Sequence, residues 1–233
     1  MIESKKLLES LEALAKKEII NIIIESGTYL GTGSTIFLAK AFHSSSAFEK
    51  LYTCEVNHQF YHEAKKNLKP YSNVICINGR TISIKEANKF IATDEVLENH
   101  KDYPNIYIDD IENPKQFYLQ ELNGNLGGKH NTIWENLKNF FNPLQDELLK
   151  KLIVENINKK ILIVLDSAGG IGYLEFLIVN KLLSHKEYYI LLDDIHHLKH
   201  FRSFQYIQNH KNFELISFDI LNGWALAKHL GTS

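Results

Sequence analysis

The chain has little cysteine, no excess of either charge and no apolar run of membrane-spanning length, and each shortage removes a class of protein. Two cysteines in 233 residues, Cys54 and Cys76, each sit inside an apolar stretch. That excludes a disulfide framework and predicts reduced, buried thiols in a cytoplasmic protein. With 26 basic against 28 acidic side chains, no field exists to attract a polyanion, so the expected partner is a small molecule and not a nucleic acid. No uninterrupted apolar run approaches the roughly 20 residues that cross a bilayer, so no membrane partner is expected. Internal repeats and low-complexity tracts are also lacking. The length suits one large domain able to bury about 70 per cent of its surface.

What is present is an alternation of apolar runs and helical segments. The N-terminal stretch 3–18 carries Leu7, Leu8, Leu11, Leu14 and Ala15 on one face among charges, which predicts an amphipathic helix and not a signal peptide. Strand-length runs follow at 18–24, 50–56, 73–79, 159–166 and 187–194. Their lack of polar alternation implies parallel strands covered on both faces. The runs 213–219 and 224–230 are joined only by a short turn containing Asn222 and Gly223, so they predict an antiparallel hairpin. Between the third and fourth strands, residues 81–158 read as a mainly helical insertion that caps a pocket or builds a homo-oligomer interface. Within it, "GNLGGKHN" reads as a flexible loop, 132–157 as helical and 103–113 as a short strand.

The most informative stretch is "ESGTYLGTGST", directly behind the first strand. A buried strand entering a glycine-rich turn and then a helix lets a ligand approach bare backbone at the helix N-terminus. The turn reads Glu25, Gly27, Gly31, Gly33, which fits neither the G-x-G-x-x-G dinucleotide fingerprint nor the P-loop. A carboxylate at the strand end suits a ligand that is cationic there, such as an ammonium or sulfonium. Glu55 ends the next strand 22 residues beyond Gly33, where an acid accepts ribose hydroxyls.

These residues, with "CEVN", "INGRT", "VLDSAGG", "LLDDIHHLKH" and the terminal hairpin, resemble the class I S-adenosylmethionine-dependent methyltransferases. The resemblance covers 18–80 and 159–230. It implies a Rossmann-like α/β fold with a seven-stranded, mostly parallel sheet, helices on both faces and an antiparallel C-terminal strand. S-adenosyl-L-methionine is the implied cofactor. Glu25, Gly27, Gly31 and Gly33 would line its methionine part, Ser34 its carboxylate and Glu55 its ribose. Gly79 and Arg80 would flank the adenine, although many relatives carry an Asp where this chain has Arg80. Tyr29 would shield the sulfonium, and Asp166 joins the cofactor-binding set.

Methyl transfer needs an acceptor held in line and often a base or metal. Candidates lie where the fourth and fifth strands end: Asp166, then Asp193 and Asp194, then His196 and His197. The three carboxylates could hold Mg2+ or another divalent cation, as in the cation-dependent O-methyltransferases, or an Asp could cap the next helix. The histidines offer a general base, and His196 and His200, four apart, would share a helical face. Lys199 and Arg202 read as solvent-facing or as binders of an anionic acceptor. Gly169, Gly170 and Gly172 either shape the acceptor pocket or turn the chain, and Trp224 reads as core. The sequence therefore points to a methyltransferase acting on a hydroxyl of a small molecule, a sugar or secondary metabolite. A non-catalytic nucleoside-binding or assembly module is the alternative, and a nicotinamide oxidoreductase is disfavoured by the glycine spacing.

Overall fold

A computed structural model describes residues 4–122, 144–167 and 169–232. Helix α1 (Lys5–Lys17) begins where the Ser4 side chain accepts the Leu7 N–H, and it buries Leu7, Leu11 and Leu14. Strands β1 (Ile22–Ser26), β2 (Lys50–Glu55), β3 (Val74–Asn78), β4 (Ile161–Leu165), β5 (Glu187–Leu192), β6 (Phe213–Asp219) and β7 (Trp224–Leu230) form one seven-stranded sheet, ordered β3-β2-β1-β4-β5-β7-β6. The first five are parallel, and β7 is antiparallel to both β5 and β6. This is the sheet that the sequence predicts.

All five residues of β1 and of β4 are buried, which is why these runs lack polar alternation. Successive side chains point to opposite faces. Ile22, Ile24, Ile161 and Ile163 meet α7 (Leu148–Glu155), α8 (Gly172–Leu183) and α9 (Phe201–Asn209). Ile23, Leu162 and Val164 meet α1 and α2 (Ser34–Phe42). Cys54 and Cys76 are both free thiols; Cys54 is buried and Cys76 half-buried. No helix among the described residues is long and apolar enough to cross a membrane.

The segment between β3 and β4 divides in two. Its last helix, α7, packs Leu148, Leu149, Leu152 and Ile153 into the sheet's own core, so α7 is the crossover helix of the fold. Ahead of it, α4 (Ile84–Ala92), α5 (Glu95–Glu98) and α6 (Pro114–Leu122) enclose a separate cluster of Ala87, Ile91, Val96, Leu97 and Tyr118. Ile171, Leu198 and Phe201 join that cluster, so the inserted helices sit on the chain that follows β4 and β5. The stretch expected as a strand at 103–113 makes only one bridge, Tyr107 with His197, because Asp110, Glu112 and Pro114 turn it toward α6 instead. The loop "GNLGGKHN" and most of the helical expectation at 132–157 lie outside the described residues.

Candidate functional site

The turn after β1 is held by close backbone packing. Gly27 has φ +88°, and a Cβ there would lie 2.1 Å from the Asp166 carbonyl oxygen, so the ends of β1 and β4 touch only because Gly27 has no side chain. Gly31, at φ +66°, lies against Leu68. Tyr29 adopts φ +51° and stands exposed, its ring edge-on to Phe60 at 4.7 Å. At Gly33 a Cβ would meet nothing within 4 Å, and Gly33 leaves the start of α2 with no side-chain cap. Uncapped N–H groups beside open space suit an anionic group.

Glu25 lies beneath this turn with no exposed surface. Its Oε2 accepts the hydroxyls of Thr35 at 2.6 Å and Thr53 at 2.7 Å. Burial raises its carboxyl above the ordinary range against the pull of these bonds and of the Ser34 hydroxyl. Glu25 and Ser34 therefore brace the turn from below. Glu55, at the tip of β2, accepts the Tyr29 N–H at 2.8 Å on one oxygen and the Asn57 N–H at 2.7 Å on the other. Burial raises its carboxyl too. The two backbone donors fix the carboxylate beside the glycine turn. Gly79 and Arg80 are occupied by packing: a Cβ on Gly79 would lie 2.5 Å from the Gln145 carbonyl oxygen, and the Arg80 N–H donates to that oxygen at 2.8 Å.

The ends of β4 and β5 gather the three aspartates, one oxygen of each lying within 4.8 Å of the others. Between Asp166 and Asp194 sits Lys199, and of its two readings from sequence the structure removes the solvent-facing one. The Lys199 ammonium is 3.0 Å from Asp166 Oδ1 and 2.8 Å from Asp194 Oδ2, its side chain only 7% exposed. Arg202 is likewise committed, forking onto both oxygens of Asp94 at 2.9 and 2.6 Å and stacking 4.3 Å from the Tyr173 ring centre. Burial pushes the Asp193 carboxyl up to about 7, with repulsion from Asp166 adding to it. Burial also raises Asp166, against the attraction of Lys199. For Asp194, burial is outweighed by Lys199, and its carboxyl is held below the ordinary range. Asp194 itself takes φ +55°, a conformation rare for a non-glycine residue.

A cavity of about 440 Å3 opens beside this cluster, its walls including Asp109, Glu121, Gly169, Asp194, His196 and Lys199. His197 also lines it, but both ring nitrogens are engaged: Nδ1 accepts the Lys199 N–H at 3.1 Å, and Nε2 faces Asp109 Oδ2 at 3.1 Å. An Nδ1 that accepts leaves the proton on Nε2. Burial lowers the His197 pKa, so the neutral ring prevails. Asp109 Oδ2 also accepts the Tyr118 hydroxyl at 2.9 Å. His196 is exposed and places Nε2 2.7 Å from the Ile220 carbonyl oxygen. A carbonyl only accepts, so in the neutral ring the Nδ1 lone pair remains. His200 is fully buried, with a pKa held well below 6.5 by burial. It shares no helical face with His196, because α9 begins only at Phe201. The glycines after Asp166 permit close packing: a Cβ on Gly169 would lie 2.6 Å from His197 Cε1, and one on Gly172 2.6 Å from Lys199 Cβ. Trp224 is core, 1% exposed.

Three participants were missed by the sequence reading. Asp109 enters from the irregular stretch before α6 and Glu121 from α6 itself, and burial raises the Glu121 carboxyl to about 7. Glu175, fully buried in α8, accepts hydroxyls from Ser26 at 3.1 Å and Ser167 at 2.6 Å, and from Thr81 as well. It ties together the loops behind β1, β3 and β4. A glutamate in the first turn of a helix beginning with glycines was a visible signal, but its partners lie up to 149 residues away.

No family model matches the chain, and no curated protein matches its sequence. Among solved structures it is similar to the cofactor-bound protein Rv0187 from MTB, at 14% identity and a TM-score of 0.51, covering 100% of this chain and 83% of that one. It is also similar to an O-methyltransferase from Bacillus cereus in complex with SAH, at 15% identity and a TM-score of 0.50, covering 98% of this chain and 82% of that one. An rRNA methylase from Streptococcus thermophilus matches at 13% identity, a TM-score of 0.43 and full coverage of both chains. At these identities the likeness is one of fold: the chain has the seven-stranded fold of the class I methyltransferases.

Proposed function

We propose that the chain is an S-adenosylmethionine-dependent methyltransferase that methylates a hydroxyl group of a small molecule such as a sugar or secondary metabolite. The observation that carries this reading is the pairing of an uncapped, open α2 start at Gly33 with the Glu55 carboxylate fixed beside the turn. Both lie at the carboxyl ends of the strands where the strand order reverses between β1 and β4, which is where α/β sheets bind nucleosides. The residues present fit the cofactor: α2 offers N–H groups to its carboxylate, and Glu55 offers lone pairs to its ribose hydroxyls. When bound, the cofactor supplies a methyl group activated on a sulfonium.

The chain's own residues then hold the acceptor in the neighbouring cavity. Asp166 joins the two halves, its carbonyl packed on Gly27 and its carboxylate on Lys199. His196 is the general base of this reading, because its Nδ1 keeps a lone pair to receive the acceptor's hydroxyl proton. Neutral His197 is locked by Lys199 and Asp109 and orients the wall. Asp194, ionised, and Asp193 polarise that end of the cavity. A space of about 440 Å3 suits a small acceptor, and the near balance of charge supports one over a polyanion.

Glu55→Ala tests the cofactor site. Loss of hydrogen bonds to a charged group predicts about 10- to 100-fold weaker S-adenosylhomocysteine binding by calorimetry, and unchanged affinity in a folded variant would overturn the assignment.

A further inference from the structure

We propose that Lys199 is the resident cation of the Asp166–Asp193–Asp194 rim, so that this site works without a divalent metal. A trio of carboxylates at these two strand ends invites a metal on sequence grounds. In the structure the donor set does not fit one. Asp166 Oδ1 and Asp194 Oδ2, two oxygens of the trio, are already bridged by Nζ at 3.0 and 2.8 Å. Mg2+ would need oxygens at about 2.1 Å in near-octahedral geometry, and ligation through those two oxygens would press it against the ammonium.

Lys199 is also not free to withdraw. Its side chain is 7% exposed, its backbone N–H donates to His197 Nδ1, and Gly172 packs directly on its Cβ. Leaving the rim would unpair Asp166, whose side chain is 16% exposed, and an unpaired buried charge is costly on either side of the pair. The arrangement thus places a permanent positive charge on the cavity wall. Under the methyl-transfer reading, on which this consequence alone rests, that charge stabilises oxyanion character developing on the acceptor.

The experiment is a Mn2+ titration of the purified full chain, following free Mn2+ by electron paramagnetic resonance, on wild type and on Lys199→Met and Lys199→Arg. Wild type and Lys199→Arg are expected to leave Mn2+ free up to about 1 mM, while Lys199→Met, folded by circular dichroism, gains Mn2+ affinity at least about tenfold. Saturation of wild type at tens of micromolar Mn2+, abolished by Asp166→Asn, would overturn the proposal. The wild-type titration decides this even if Lys199→Met does not fold. S-adenosylhomocysteine binding measured on the same samples reports separately on the methyltransferase reading, since neither Mn2+ outcome depends on it.

Discussion

A methyl group added to Gly27 would have to share space with the Asp166 carbonyl oxygen, 2.1 Å away, and hold φ at +88°. Gly27→Ala is therefore expected to lower unfolding free energy by at least about 2 kcal/mol in urea titrations. Gly33→Ala, with nothing within 4 Å of its new methyl group, is expected to cost under about 1 kcal/mol yet to weaken S-adenosylhomocysteine binding if the ligand backbone packs there. Histidine burial gives a pH prediction. The folded-state pKa of His200 lies well below its ordinary value because of burial, so the unfolded chain takes up the proton first as pH falls below about 6.5. Stability from this residue is thus present above that pH and declines beneath it, at up to about 1.4 kcal/mol per pH unit. His200→Gln should remove about one proton's worth of slope between pH 6.5 and 5, read as the difference between the two proteins' urea-unfolding free energies. An identical slope would contradict the burial account. At this scale the sequence made the placement of Glu25 and Glu55 at strand ends and of Gly27, Gly31 and Gly33 in the turn legible, because strand ends and turns are local patterns, but not that Glu25 is fully buried on Thr35 and Thr53. It hid Lys199, whose partner Asp166 is 33 residues away.

At the scale of elements, the burial of Lys199 and the separation of His196 from the face of His200 have one cause. A shared face for His196 and His200 requires a helix directly behind β5, whereas residues 195–200 form turns: Asp194 adopts a left-handed backbone, Tyr107 bridges to His197, and only then does α9 start. That start is pinned by the inserted helices, since Asp94 caps α5 through the Val96 N–H and grips Arg202 of α9 through both oxygens. Asp94 is 1% exposed in this pair. Asp94→Ala is expected to cost about 3 kcal/mol or more, and the Asp94→Ala, Arg202→Met double variant less than the sum of the single changes. Additive losses in that double-mutant cycle would show that α5 docks on α9 by its apolar contacts alone. His196→Gln belongs here as well, because the turn exposes His196 on the cavity wall, where the proposed function makes it the base. It should lower the transfer rate about 100-fold or more while leaving cofactor affinity unchanged. An unchanged rate would remove it as the base.

For the whole molecule, apolar runs and the terminal turn sufficed to predict five parallel strands and a closing hairpin, because burial on both faces leaves a clear mark on composition, and the family resemblance implied the single seven-stranded sheet that joins them. The docking of the inserted helices over the ends of β4 and β5 left no such mark: it depends on Gly169 and Gly170, whose missing side chains let Tyr118 of α6 and Ile91 of α4 approach. The result is a molecule with an open, uncapped start of α2 behind β1 and a polar cavity walled in part by the insertion, with Asp166 packed between Gly27 and Lys199. A nucleoside in the first and an acceptor in the second is the central claim. Calorimetric titration of the purified chain with S-adenosylhomocysteine, S-adenosylmethionine and NAD tests it most directly. The account predicts binding of the first two in the micromolar range and none of NAD, whereas preference for NAD, or binding of none of the three, would contradict it.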